Sequence, residues 1–198
     1  MSKQFPHVVV LAGPNGSGKT TIAPNLLKGR LAVNEFVNAD MIASGLSLFE
    51  PDAAAMAAGR VMLTRLKELA AHRADFAFET TLASRSFAPW IAELKNTGYR
   101  FHPVFLWLSS PDLAVARVAG RVRMGGHSVP EATIRRRYYA GLRNFFALYH
   151  PMATTWEIVD NSAGQRIRMI ASGRGAVTDN VGSPDTWRQI EEEHQDGH

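Results

Sequence analysis

Residues 7–20 read His7-Val8-Val9-Val10-Leu11-Ala12-Gly13-Pro14-Asn15-Gly16-Ser17-Gly18-Lys19-Thr20. A short apolar run ends on a glycine-rich turn, and a helix-compatible stretch starts at Lys19. Gly13, Gly18, Lys19 and Thr20 complete the pattern G-x-x-x-x-G-K-[ST] in its required setting, after a strand and before a helix. The glycines admit backbone angles closed to other residues, so successive amides can turn inward around an anion while the helix aims its positive end at it. Gly13, Pro14, Asn15, Gly16, Ser17 and Gly18 are therefore expected to cradle the phosphates of ATP. Lys19 should reach the β- and γ-phosphates, Thr20 should hold Mg²⁺ through its hydroxyl, and Thr21 should contact the α-phosphate.

Outward from this loop, apolar runs alternate with helical patterns. Strands are expected at 7–12, 36–39, 76–79, 101–108, 155–159 and 167–171, and helices at 19–27, 52–72, 87–96, 111–124 and 130–148. That alternation predicts a three-layer α/β P-loop NTPase with a mostly parallel sheet and helices on both faces. With 198 residues, 45% of them hydrophobic, and no repeat or low-complexity linker, one domain over 1–198 suffices. Ser110-Pro111-Asp112 reads as a helix start. Ser128 with Glu131 fits a capping box after the Gly125-Gly126-His127 joint. The segment 183–198 reads as an acidic tail that frays.

The chain has no cysteine, which excludes disulfides, iron–sulfur clusters, thiolate zinc sites and a cysteine nucleophile. Its longest early apolar run is far shorter than the roughly 20 residues of a membrane span. A soluble, cytoplasmic protein with no membrane contact is expected. Residues 100–150 hold eight basic side chains, all Arg, against two acids. Guanidinium forks suit bidentate phosphate contacts, and because this charge clusters at one place rather than along aromatic-rich strands, nucleic acid is disfavoured as a partner.

Two further groups sit where strands end, the edge at which open α/β folds bind ligands. Asp40 follows residues 36–39 and suits either a base that accepts a hydroxyl proton or support for a Mg²⁺ shell, with loop capping by Asn38 and Asp40 as the plainer reading. Glu79, Thr80 and Thr81 close the next strand. A buried Glu79 needs hydrogen bonds from a substrate or an Arg partner. Arg117, Arg121 and Arg123 end one helix and Arg135, Arg136 and Arg137 begin the next, as a lid over 117–143 would require. Three consecutive arginines cannot face one way, so at most one or two of them reach a γ-phosphate.

Residues 13–21 (GPNGSGKTT), Asn38-Ala39-Asp40, Phe78-Glu79-Thr80-Thr81 and the run from Arg123 to Tyr138 resemble, in order, the zeta toxin family of P-loop kinases. The resemblance implies transfer of the ATP γ-phosphoryl group, with Mg²⁺, to the 3′-hydroxyl of UDP-N-acetylglucosamine, and a toxin role opposed by a small antitoxin protein. It makes Lys19 the loop lysine, Thr20 the magnesium residue and Asp40 the base. Asn38, Glu79 and Thr81 would hold the nucleotide-sugar substrate, and Arg123 and Arg136 would grip the transferring phosphate. A kinase of another metabolite or of a polynucleotide, a nucleotide-driven switch and an ATP-binding module without chemistry are the alternatives.

Overall fold

Val8, Val9, Val10, Leu11 and Ala12 are all buried, and a strand with both faces covered needs apolar residues at every position. The computed structural model describes residues 5–46, 51–126, 128–164 and 167–195. This strand, β1 (His7–Ala12), is central. It pairs in parallel with β3 (Phe76–Thr80) on one side and β4 (Arg100–Trp107) on the other. β2 (Glu35–Val37) lies beyond β3, and β5 (Trp156–Asp160) lies beyond β4, both parallel. An antiparallel hairpin, β6 (Arg168–Arg174) and β7 (Val177–Val181), completes the order β2-β3-β1-β4-β5-β6-β7. The mostly parallel P-loop fold is as expected, and the last hairpin strand is additional to it.

Helices cover both faces. α1 (Lys19–Pro24) runs on through a wider turn at Asn25–Arg30, and its Ala23 and Leu27 pack on Val9, Leu11, Val104 and Leu106. On the other face α3 (Pro51–Ala71) and α4 (Phe87–Asn96) bury Met62, Leu66, Leu69, Ile91 and Leu94 against Val8, Val10, Phe76 and Phe78. A short helix α2 (Ala39–Leu46), absent from the sequence expectation, follows β2 directly. α5 (Pro111–Arg123) and α6 (Glu131–Asn144) meet through Ala114, Val118, Ile134 and Tyr138. Among the described residues no helix is long and apolar enough to cross a membrane.

Two local expectations change. Ser110 caps α5 by accepting from the Leu113 amide at 3.1 Å, but Ser128 forms no capping box. α6 begins after Pro130, and Glu131 instead accepts from Arg135 Nε at 2.9 Å. The acidic tail does not fray over its first twelve residues. α7 (Pro184–Gln195) buries Ile190 completely, stacks Trp187 on Trp156 at 16° between ring planes, and lays His194 on Phe146 with centroids 4.0 Å apart. His127 and His198 lie outside the described residues.

The edge of the sheet opposite the loop carries a histidine pair. His102 Nε2 lies 2.9 Å from His7 Nδ1, and its Nδ1 lies 2.7 Å from Thr155 Oγ1. Burial, helped by the charges of His7 and Arg100, pulls His102 down to about 4. An unfolded histidine titrates near 6.5, so below that pH the unfolded chain takes up a proton that the folded one refuses. The histidine's contribution to stability is complete above about pH 6.5 and is lost as pH falls towards 4. The melting temperature should drop across this interval, and His102→Gln should flatten the drop; an unchanged slope in the variant would contradict the assignment.

Candidate active site

The loop after β1 owes its path to contacts on both sides. Gly13 (φ +134°) sits so close to β4 that a Cβ there would lie 2.3 Å from the Leu106 carbonyl oxygen. At Gly18 (φ +83°) a Cβ would meet Asn161 Nδ2 at 2.6 Å, and that amide donates to the Ser17 carbonyl at 2.7 Å. Only glycine fits either place. Arg117, on α5, donates to the carbonyls of Asn161 and Ser162 at 2.8 Å each. It thereby ties α5 to the loop after β5 and, through a longer 3.5 Å contact to the Gly16 carbonyl, to the glycine-rich loop.

Lys19, the first residue of α1, is 5% exposed, and its ammonium donates to the carbonyls of Gly13 and Pro14 at 2.9 Å each. Glu79 Oε1 is 3.8 Å away. Burial pushes the Lys19 pKa down, Glu79 and Asp40 pull it up, and Arg121 and Arg137 push it down again. These five charges therefore share one field. Glu79, the penultimate residue of β3, lies beside Leu11 of β1, where its Oε2 accepts from Thr20 Oγ1 and Asn38 Nδ2 at 2.7 Å each. The donor set at Thr20 and Glu79 fits Mg²⁺, which takes one or two protein oxygens and fills its other positions with phosphates and water. Thr21 is exposed on the far side of α1, facing Asn25, Asn161 and Gly164 across another groove.

Asn38 also caps α2, accepting from the Met41 amide at 3.1 Å. That cap places Asp40 in the first helical turn, exposed and facing a cleft of about 460 Å³ lined by Asn15, Lys19, Asp40, Arg60, Thr81 and Arg137, among others. Thr80 and Thr81 line the same cleft, their hydroxyls accepting from the Leu82 and Ala83 amides.

The arginines divide. Arg123 and Arg136, expected to grip the phosphate, are exposed and neither lines the cleft. Arg135 is held between Glu131 and Asp112. Arg137 enters the cleft, half-buried, with Nη1 3.3 Å from Asn15 Oδ1. The reason is helical phase. Ile134, Tyr138 and Leu142 face the core, which turns Arg136 outward and puts Arg137 on the stripe shared by Gly141 and Asn144. Arg60, on α3, was not singled out from the sequence, where nothing distinguishes it from a solvated helix residue.

That stripe docks α6 on the acceptor side of the cleft. A Cβ at Gly141 would stand 2.3 Å from the Thr81 carbonyl oxygen. Asn144, buried, donates at 2.7 Å to the carbonyl of Leu82, whose φ of +56° is costly for a branched side chain. Asn144→Leu should destabilise the fold by about 1–3 kcal/mol, because it leaves that buried carbonyl unsatisfied. Urea unfolding measures this, and a variant as stable as the parent would show that the bond carries no weight.

Known proteins resemble this chain in sequence and in fold. A protein of Haemophilus influenzae without assigned function is 27% identical over 130 residues, 66% of this chain and 91% of that protein. The AvrRxo1-ORF1:AvrRxo1-ORF2 complex with sulphate ions superposes at a TM-score of 0.74 with 17% identity, over 95% of this chain and 64% of the matched one, so this chain spans less than two thirds of that length. A structure of the PezAT toxin–antitoxin system of Streptococcus pneumoniae superposes at 0.67 with 16% identity, over 100% of this chain and 86% of the matched one. These likenesses show the fold alone, an α/β P-loop fold with a mostly parallel sheet. The family model of the AAA domain matches residues 8–139, more than half of the chain, and the chain belongs to that family.

Proposed function

We propose that this protein is a kinase that transfers the γ-phosphoryl group of ATP to a hydroxyl of a nucleotide sugar, with the 3′-hydroxyl of UDP-N-acetylglucosamine as the first acceptor to test. The observation that carries the reading is the exposed Asp40 carboxylate lining the cleft that Lys19 and Arg137 also line. The loop amides and Lys19 hold the triphosphate. Thr20 and Glu79 would hold Mg²⁺, which would supply neutralisation of charge on the triphosphate.

Asp40 accepts the acceptor hydroxyl proton as that oxygen bonds to the γ-phosphorus. The bond from phosphorus to the bridging oxygen breaks, and ADP leaves. Arg137 offsets charge that spreads over the equatorial oxygens in the transition state. Thr80 and Thr81 face the acceptor. The ATP-bound form of the AvrRxo1-ORF1:ORF2 complex supports ATP as donor. Two similar structures are two-component complexes, one of them a toxin–antitoxin system, and this supports a toxin role with a small protein antagonist.

Incubation with ATP, Mg²⁺ and UDP-N-acetylglucosamine should give a new phosphomonoester by ³¹P NMR. Asp40→Asn should lower kcat by about 10²- to 10⁴-fold and leave ATP affinity unchanged. Arg137→Ala should lower kcat by roughly 10³-fold or more, whereas Arg136→Ala should stay near the parent. Unchanged turnover in Asp40→Asn removes it as the base, and equal losses at Arg136 and Arg137 contradict their separation by helical phase.

A further inference from the structure

Asp160 ends β5, and Asn161 and Ser162 carry the chain into the turn beside the glycine-rich loop. Each makes different bonds. Asp160, 5% exposed, accepts from the Ser162 amide at 2.7 Å and from Arg168 at 2.8 Å. Ser162 Oγ accepts from the Ser109 amide at 2.9 Å. The Asn161 backbone amide donates to the Trp107 carbonyl at 3.1 Å, and the carbonyls of Asn161 and Ser162 both accept from Arg117. The Asn161 side chain crosses to the glycine-rich loop, where Nδ2 donates to the Ser17 carbonyl.

That bond falls on a peptide with two possible settings. Reversing the Ser17–Gly18 peptide changes chiefly ψ of Ser17 and φ of Gly18, and glycine accepts φ of either sign. The residue that lets the loop turn therefore also lets this peptide flip. In a trans peptide the carbonyl and the amide point opposite ways, and none of the described peptides is cis. With the Ser17 carbonyl drawn to Asn161, the Gly18 amide points away from the β5 turn, able to join amides that converge on an anion. Flipped, the peptide would present a carbonyl oxygen to a phosphate. Ser17 and Asn161 are both buried, so water is badly placed to replace a lost side-chain donor. The clamp is itself held by Arg117, and Gly16 lets α5 come this close. A Cβ at Gly16 would lie 2.8 Å from the Ala114 carbonyl oxygen and 3.1 Å from Arg117 Cβ.

We infer that Asn161 is a positioning residue for phosphate binding: its side-chain amide selects the setting of the Ser17–Gly18 peptide in which the Gly18 amide faces the phosphates. It acts through the loop and not by touching the nucleoside or the acceptor. This rests on the glycine-rich loop as the triphosphate site and adds what fixes the direction of its amides.

The test titrates inorganic pyrophosphate and, separately, ADP, each with Mg²⁺, into the ¹⁵N-labelled parent and Asn161→Leu. In the parent the Gly18 amide proton should move downfield with both ligands. In Asn161→Leu that shift should fall by more than half, and both affinities should drop at least tenfold. Pyrophosphate has no base or ribose, so a loss confined to ADP would mean a direct nucleoside contact and overturn the inference. Parental affinity with a parental Gly18 shift overturns it while the loop stays the phosphate site. If neither ligand moves an amide of residues 13–21 in the parent, the loop reading falls as well. Ser162→Ala removes the Ser109 bond from the same turn and should bind as the parent does; an equal loss there traces the effect to order in the turn and overturns the role of Asn161. Should Asn161→Leu not fold, Asn161→Asp has the same shape, and its charged carboxylate cannot donate. The Gly18 shift should then be lost, and a retained shift contradicts the proposal.

Discussion

A buried ammonium is expensive unless its charge is met, and the Lys19 ammonium is met by the carbonyls of Gly13 and Pro14, with Glu79 beyond. The surrounding structure follows from satisfying it. The loop must turn its carbonyls inward, which demands glycine where β4 and Asn161 crowd the backbone. Glu79 must arrive beside the loop, which the parallel pairing of β3 with β1 accomplishes. Glu79 must itself be held, and Thr20 and Asn38 hold it. The Lys19 ammonium thus rests on the loop's own oxygens.

The two walls of the cleft are joined behind the site. Arg137, Gly141 and Asn144 share one face of α6, so the helix that brings the Arg137 guanidinium into the cleft also props the loop carrying Thr81 and Leu82. α6 is therefore anchored along its second half. Asn38 performs a similar double duty on the other wall, capping α2 beneath Asp40 while holding Glu79.

What was legible in the sequence was local. The loop, β1 and the strand ending in Glu79 could be read because their signals lie within a few residues. Asn38-Ala39-Asp40 was read as a strand end, although an Asn cap followed by an acid in the first turn is a helix-start signal; the short β2 hid it. Arg137 could have been separated from Arg136 by taking Ile134, Tyr138 and Leu142 as the buried stripe and fixing the helical phase from them. The partnership of Glu79 with Thr20 and Lys19 was not readable, since it depends on which strand lies beside β1. The exposed β7, Val-Thr-Asp-Asn-Val, has no apolar alternation to announce it. The docking of α7 depends on Trp156, far away in sequence, to receive Trp187.

The most direct test of a phosphoryl-transfer cleft around Lys19 is a crystal structure with Mg²⁺ and a non-hydrolysable ATP analogue. The account predicts that Lys19 Nζ leaves the Gly13 and Pro14 carbonyls for the β- and γ-phosphates, with Thr20 on the metal and Arg137 within reach of the terminal phosphate. A nucleotide seated elsewhere, with Lys19 still bound to its own loop and Arg137 still on Asn15, would contradict it.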